Sequence, residues 1–253
     1  MRGGERQRLI LERARAQGAV DVRGLAEELA VSPETVRRDL RVLEAHGVLR
    51  RTRGGAYPLQ PRAHETSPDP RTRALVPEKR RIAAAAAGLL GPAETVFVDE
   101  GSTAELVAEA LPGGRPLTVL TPALGAARRL SGRENVTVLL LGGQVRGSTR
   151  STAGPWVDRM LSGFVVDLAY LSAAGISLEH GVTTQDPGVA RTKARVMRMS
   201  RRQVLCVAHT GFGAVSFHRF AAPGEFDAIV TDSGLPASRA RSFTRAGYRV
   251  LRV

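Results

Sequence analysis

The sequence predicts an α/β chain in two unequal parts: a small helix-turn-helix with a β-wing in front, and a larger α/β unit with a mainly parallel sheet behind. Three observations carry this. Residues 1–56 space their apolar positions as helices do, with two short interruptions. Residues 57–77 hold five prolines and no periodicity, so they read as an interdomain linker, extended rather than folded. From Glu78 onward short apolar runs alternate with helical stretches, the pattern of parallel strands covered on both faces. The expected boundaries are 1–57 for the front unit, 58–77 for the linker and 78–253 for the rear unit.

In the front unit, Glu5 to Gln17 reads as a helix with Ile10, Leu11 and Ala14 on one side, closed by Gly18. Val22 to Ala30 is a second helix with Leu25 and Leu29 inward. Ser32 caps a third, Pro33 suits its first position, and it runs to about His46 before Gly47 stops it. Two short helices across a tight Val31-Ser32 turn make a helix-turn-helix, with the third helix as reader.

On that third helix Val36, Leu40 and Leu43 form the inward stripe. The outward side carries Glu34, Arg38 and Arg41, with Thr35 and Arg37 on the flanks, and Asp39 is expected to pair with a neighbouring arginine. A free face of arginine with short polar residues at its start, Ser32 and Thr35, fits the major groove of double-stranded DNA. Arg37 or Arg38 can pair with guanine O6 and N7, a contact worth about 1–3 kcal/mol of discrimination. A merely solvated helix face carries similar charge runs, so the next segment decides. GVLRRTRGGAY alternates and turns as a small wing, setting Arg50, Arg51 and Arg53 along the phosphate backbone while Gly54 and Gly55 permit close approach.

In the rear unit TVFVDE, LTVLTP, VTVLLLGG, VVDLAYLSA, QVLCVAH, AIVTD and YRVLRV read as strands. Ligands of such sheets bind at the carboxyl ends of strands, which here are DEGST, LGG and AAGIS. Asp99 ends a strand, and Gly101, Ser102 and Thr103 open a helix. Backbone N–H groups with two hydroxyls there make a phosphate cradle or an ordinary helix cap. Cys206, the only cysteine, sits in QVLCVA and reads as a core-strand residue, not a reactive thiol.

Composition narrows the function classes. A net charge of +13 points to a polyanionic partner. All but two of the 37 basic residues are arginine, the exceptions being Lys79 and Lys193, and genome composition alone produces such a skew. Distribution is more telling: residues 1–62 hold 13 arginines against 8 carboxylates, so +5 of the charge lies in about a quarter of the chain. The start, MRGGERQRLI, is charged where a signal peptide is apolar, and no apolar run nears the roughly 20 residues of a membrane span, so the expected location is the cytoplasm. Aromatic content of 4% leaves no bulky anchors for a basic membrane-surface helix. His46, His64, His180, His209 and His218 show no ligand spacing, and neither a metal nor a cofactor is expected.

The run LAEELAVSPETVRRDLRVLEAHGVLRRTRGGA resembles the DeoR-type winged helix-turn-helix of bacterial sugar-metabolism regulators, with Ser32, Thr35, Arg37, Arg38, Asp39 and Leu40 matching its pattern. EKRRIAAAAAGLL, VFVDEGST, LLGG, DLAYLSAAGIS, HGVTT and VTD resemble that family's effector domain, which shares its fold with ribose-5-phosphate isomerase. The resemblance implies a repressor that binds its operator as a homo-oligomer, dimer or tetramer, and senses a phosphorylated sugar. It adds Thr121, Gly142, Gly143, Gly175, Thr183 and Thr184 as site candidates, with Lys193 facing the anion. Three positions depart from the family: Pro122 replaces an asparagine, and Ala208 and Gly211 replace an aspartate and a lysine. Arg146 or Arg191 is then expected to substitute, or the effector differs; His209 is expected to pack or cap. The competing class is a sugar-phosphate isomerase with Asp99, Glu100 or Asp186 as base, which lacks a convincingly placed second acid.

Overall fold

A computed structural model describes residues 3–17, 19–45, 49–52, 54–58 and 74–253. It forms two compact units, Met1–Glu65 and Thr66–Val253. Most of the expected linker, residues 59–73, lies outside the described residues, as do Gly18, His46, Gly47 and Arg53.

The front unit holds α1 (Gly3–Gln17), β1 (Val20–Asp21), α2 (Val22–Glu28), α3 (Pro33–Ala45), β2 (Leu49–Thr52) and β3 (Gly55–Pro58). Ile10 and Ala14 of α1, Leu25 of α2, and Val36, Leu40 and Leu43 of α3 meet in one buried cluster, as their spacing requires. Asp21 caps α2 through a 2.8 Å bond from Gly24 N–H, and Ala30 turns the chain with φ +51. The helix ends two residues before the expected Ala30. Strands β2 and β3 pair antiparallel as the wing, and β1 adds to β3.

The rear unit is a seven-stranded parallel sheet in the order β15-β14-β12-β9-β4-β5-β6. Its strands are β4 (Thr95–Val98), β5 (Leu117–Thr121), β6 (Val136–Leu140), β9 (Val166–Ser172), β12 (Ser200–Cys206), β14 (Ala228–Thr231) and β15 (Val250–Arg252). Each of the seven sequence-predicted runs supplies one of them. Helices α4 (Val76–Ala87), α5 (Ser102–Ala110) and α6 (Leu124–Leu130) bury one face of the sheet. The other face is covered by α7 (Pro155–Leu161), α8 (Pro187–Met199) and α9 (Ala237–Arg245).

Two small additions were not predicted from sequence. β7 (Gln144–Arg146) and β8 (Ser151–Ala153) form a hairpin, and β10 (Gly175–Ser177), β11 (Gly181–Thr184) and β13 (His218–Ala221) form an antiparallel sheet. Asp167 fixes the alignment of β4 with β9 by accepting from Thr95 Oγ1 at 2.8 Å and from the N–H groups of Thr95 and Glu94. These bonds, the Thr95 hydroxyl first, hold its carboxyl below the usual range.

The strand order reverses at β4. From there β5 and β6 extend one way, and β9, β12, β14 and β15 the other. A crevice therefore opens between the carboxyl ends of β4 and β9, the position at which open α/β sheets bind ligands.

Candidate functional site

On α3 the inward stripe leaves Glu34, Arg37, Arg38 and Arg41 exposed. Ser32 accepts from Thr35 N–H at 3.2 Å and so caps the helix. Glu34 bridges Arg37 at 3.2 Å and Arg41 at 2.8 Å. Arg38 makes no ion pair or hydrogen bond among the described residues, which leaves its five donors for an external acceptor.

Asp39 pairs across the unit, not along its own helix. It is buried, and accepts from Arg6 Nε at 2.5 Å and Gln7 Nε2 at 3.0 Å, pinning α3 to α1. On the wing, Arg51 pairs with Glu44 of α3, joining the strand to the end of the reader helix. The backbone of Arg50 lies in β2, while its side chain and all of Arg53 lie outside the described residues. Gly54 holds φ +108 at the wing turn. A β-carbon on Gly55 would stand 2.2 Å from Val20 O, so Gly55 is required by the packing of β1 on β3.

In the rear unit a cavity of about 400 Å³ sits at the strand-order reversal. The β4–α5 turn contributes Glu100, Gly101, Ser102 and Thr103, the end of β9 contributes Ser172, and the end of β12 contributes Cys206, Val207 and Ala208. Thr184, Thr149, Thr210 and Gly211 close the polar walls, and two lysines reach in, Lys79 from α4 and Lys193 from α8. The only two lysines of the chain are thus buried in one cavity.

Each lysine has a defined partner. Lys79 Nζ donates to Ser102 Oγ at 3.0 Å, at the first residue of α5. Lys193 Nζ bonds the Asp99 carboxylate, and donates to Ser172 O at 2.9 Å and Ser172 Oγ at 3.2 Å. Asp99 also accepts from Ser172 N–H at 2.8 Å and Ser172 Oγ at 2.9 Å. This buried pair is therefore saturated with hydrogen bonds, the condition under which burying two charges is tolerable. The Phe220 ring lies 5.7 Å from Lys193 Nζ and adds a cation–π contact.

Glu100 forms the second polar cluster, accepting from the hydroxyls of Ser151 and Thr149. Arg146 spans from Glu100 at 4.0 Å to Asp186 at 3.8 Å, and Asp186 caps α8 through Val189 N–H. Arg191, the other expected substitute, pairs with Asp158 on α7, and neither arginine is among the cavity residues.

Several sequence-predicted residues turn to structural work. Thr121 is fully buried and accepts from Ala123 N–H at 3.0 Å. Gly142 lies under the sulfur of Met160, and a β-carbon on Gly143 would meet Ala153 O at 2.7 Å. A β-carbon on Gly175 would meet Ala214 O at 2.2 Å, while Thr183 bonds Gly175 O and Ser216 N–H. None of these five is among the cavity residues. Asp99, Gly101, Ser102, Thr103, Thr184 and Lys193 are brought together, Asp99 behind Lys193.

One departure from the family pattern, Gly211, has a local reason. A β-carbon at Gly211 would stand 2.5 Å from Val207 Cγ2, so a long side chain there displaces Val207. His209 is held in place and caps no helix among the described residues: its Nδ1 lies 2.6 Å from the fully buried Asp232, which also accepts from the His209 N–H. Cys206 lines the cavity at 2% exposure, and burial, aided by the Asp99 charge, pushes its thiol pKa up and out of the reactive range.

Sequence reasoning missed Lys79, Ser172, Thr149 and Ser151. For Lys79 a signal existed: lysine is so rare in this chain that each instance marks a place where arginine does not serve.

Comparison with known proteins gives a model for the DeoR-like helix-turn-helix domain matching residues 6–61, and one for the DeoR C terminal sensor domain matching residues 75–233. The glycerol-3-phosphate regulon repressor of Escherichia coli K12 is 32% identical over 238 residues, covering 94% of this chain and 94% of that protein. The HTH-type transcriptional repressor GlcR of Bacillus subtilis is 31% identical, covering 90% of this chain and 88% of its own. Among solved structures, ribose 5 phosphate isomerase A from Neisseria gonorrhoeae overlaps 55% of this chain and 53% of its own at 16% identity, with a TM-score of 0.38.

Proposed function

The chain belongs to the DeoR family of DNA-binding transcriptional regulators, and from that premise we propose that it represses carbohydrate-metabolism genes and is released from its operator by a small phosphorylated effector. The observation that carries the effector half is the burial of both lysines in one cavity, with Lys79 on Ser102 at the start of α5. An anion at that helix start accepts from an ammonium, a hydroxyl and first-turn N–H groups together. Glu100 and Thr184 supply acceptors for hydroxyl groups on the rest of the molecule.

The same contacts argue for a sensor and not a catalyst. Isomerisation needs a carboxylate free to take a proton from carbon. Asp99 is saturated by Lys193 and Ser172, Asp186 is tied to its helix cap, and Glu100 is held by two hydroxyls on Oε2, with Oε1 left to accept from a ligand hydroxyl. The DNA half rests on Arg38 and the neighbouring arginines of α3, used by a homo-oligomer whose copies read the two halves of an operator.

Thermal unfolding of the full chain with glycerol 3-phosphate, glucose 6-phosphate and their unphosphorylated parents tests this. A ligand at 100 times its dissociation constant stabilises by about 2.7 kcal/mol. A shift confined to phosphorylated compounds is expected and disappears in Ser102→Ala. Equal shifts with the unphosphorylated parents, or none with any phosphorylated compound, overturn the effector assignment.

A further inference from the structure

The effector cavity is walled in part by the rear-unit residues that lead into α4. Ala74 and Leu75, the two residues before α4, line it beside Lys79, Ser102 and Thr103. Leu75 is the N-cap of α4, and it has φ 56 and ψ 38, the left-handed conformation. N-caps are ordinarily extended. The left-handed form is disfavoured roughly tenfold for a residue with a β-carbon.

Leu75 is also wired to the cavity. Its carbonyl accepts from Lys79 N–H at 2.9 Å, and Lys79 Nζ donates to Ser102 Oγ at 3.0 Å. An anion taking hydrogen bonds from Lys79 and Ser102 would engage the same first turn of α4 whose backbone is bonded to Leu75. Pro77 fixes φ inside that turn, so the turn moves as a stiff piece. No side chain caps the helix, so no side-chain bond fixes the Leu75 backbone in the left-handed form.

We propose that Leu75 is the coupling residue of this regulator, a backbone hinge whose balance between left-handed and extended conformations is set by anion occupancy at Lys79 and Ser102. The hinge changes the direction in which the chain leaves the sensor unit toward the DNA-binding unit. The proposal rests on the reading that the cavity holds a phosphorylated effector.

Two substitutions in the full chain test it. Leu75→Gly removes the β-carbon and with it the bias between the two conformations, since glycine adopts both. Leu75→Ala trims the side chain in the cavity wall but keeps the β-carbon. The ligand probe is whichever of glycerol 3-phosphate and glucose 6-phosphate gives the wild-type chain the larger thermal shift. The DNA probe is the sequence that the wild-type chain selects from a random pool. Calorimetry measures ligand binding, and fluorescence anisotropy measures DNA affinity with and without ligand.

The wild-type chain is expected to change its DNA affinity about 5- to 150-fold on adding ligand. Compared at ligand concentrations that calorimetry shows to saturate each variant, Leu75→Ala should respond at least about fivefold, while Leu75→Gly responds less than about twofold. A full response in Leu75→Gly, or loss of response in both variants, overturns the hinge. Ligand binding by the wild-type chain with no change in DNA affinity also overturns it, leaving the effector site standing. Absence of ligand binding by the wild-type chain overturns the effector reading, and the hinge with it.

Discussion

On the reader helix, Glu34 holds Arg37 and Arg41 with all three side chains at least 56% exposed; in the rear cavity, Asp99 holds Lys193 with both side chains at 4% exposure or less. The chemistry of the two pairings is alike and their energetics are not. An exposed pair is screened by water and salt and contributes little to stability, so the front charges are available to a polyanion. A buried pair has lost its hydration, so each partner depends on the other and on Ser172. Exposed arginine suits recruitment from solution, while buried lysine suits a site whose empty form must satisfy itself.

The largest expected effect breaks the buried pair. Asp99→Ala leaves Lys193 without its carboxylate and should destabilise the rear unit by about 3–5 kcal/mol. Hydrogen exchange would show β4 and β9 losing protection while α1, α2 and α3 keep theirs. Adding Lys193→Met should return most of the stability, because it removes the stranded charge. A loss below about 1 kcal/mol in Asp99→Ala would mean that water already reaches the pair, and the contrast between the two regions would fail.

The next effect is on binding and not on folding. Arg38→Ala removes an exposed side chain with no partner among the described residues, so the unfolding midpoint should stay within about 0.5 kcal/mol of the wild type. Affinity for the selected DNA should fall by about 1–3 kcal/mol at fixed salt, measured by anisotropy. Asp39→Asn should do the reverse. It weakens the tie from α3 to Arg6 and Gln7 and lowers stability by about 1–3 kcal/mol, with DNA affinity falling only as far as the helix loosens.

The same division explains what could be read from the sequence. Val36, Leu40 and Leu43 repeat at helical spacing, so the buried stripe of α3, and with it the exposed side, is legible from one turn to the next. The seven runs of the parallel sheet were equally plain, being continuous and apolar because both faces are covered. The β7–β8 hairpin and the β10, β11, β13 sheet were not, because their strands are three or four residues long and too short to show alternation. The cavity is assembled from strand ends and helices as distant in the chain as Lys79 and Gly211, and the buried pair behind it alone spans 94 residues, from Asp99 to Lys193. No local pattern joins such residues. Thr121 and Thr183 enter as ligand groups only through the family resemblance, and both bond their own surroundings.

The smallest effect sharpens the exposed side of the comparison. Glu34→Gln abolishes two ion pairs, more than Asp99→Ala does, and should still cost only about 0.2–1 kcal/mol of stability. Its consequence belongs to DNA. The carboxylate repels phosphate, so neutralising it should tighten binding to arbitrary sequence. It also orients the Arg37 and Arg41 guanidiniums, so the ratio of selected to arbitrary DNA affinity should fall. Anisotropy against both DNAs at two salt concentrations separates these contributions, because the repulsive one is screened and the orienting one is less so. If Glu34→Gln instead lowered affinity for both DNAs equally, Glu34 would be supporting the helix itself, and the reader face would resemble the cavity more than its exposure suggests.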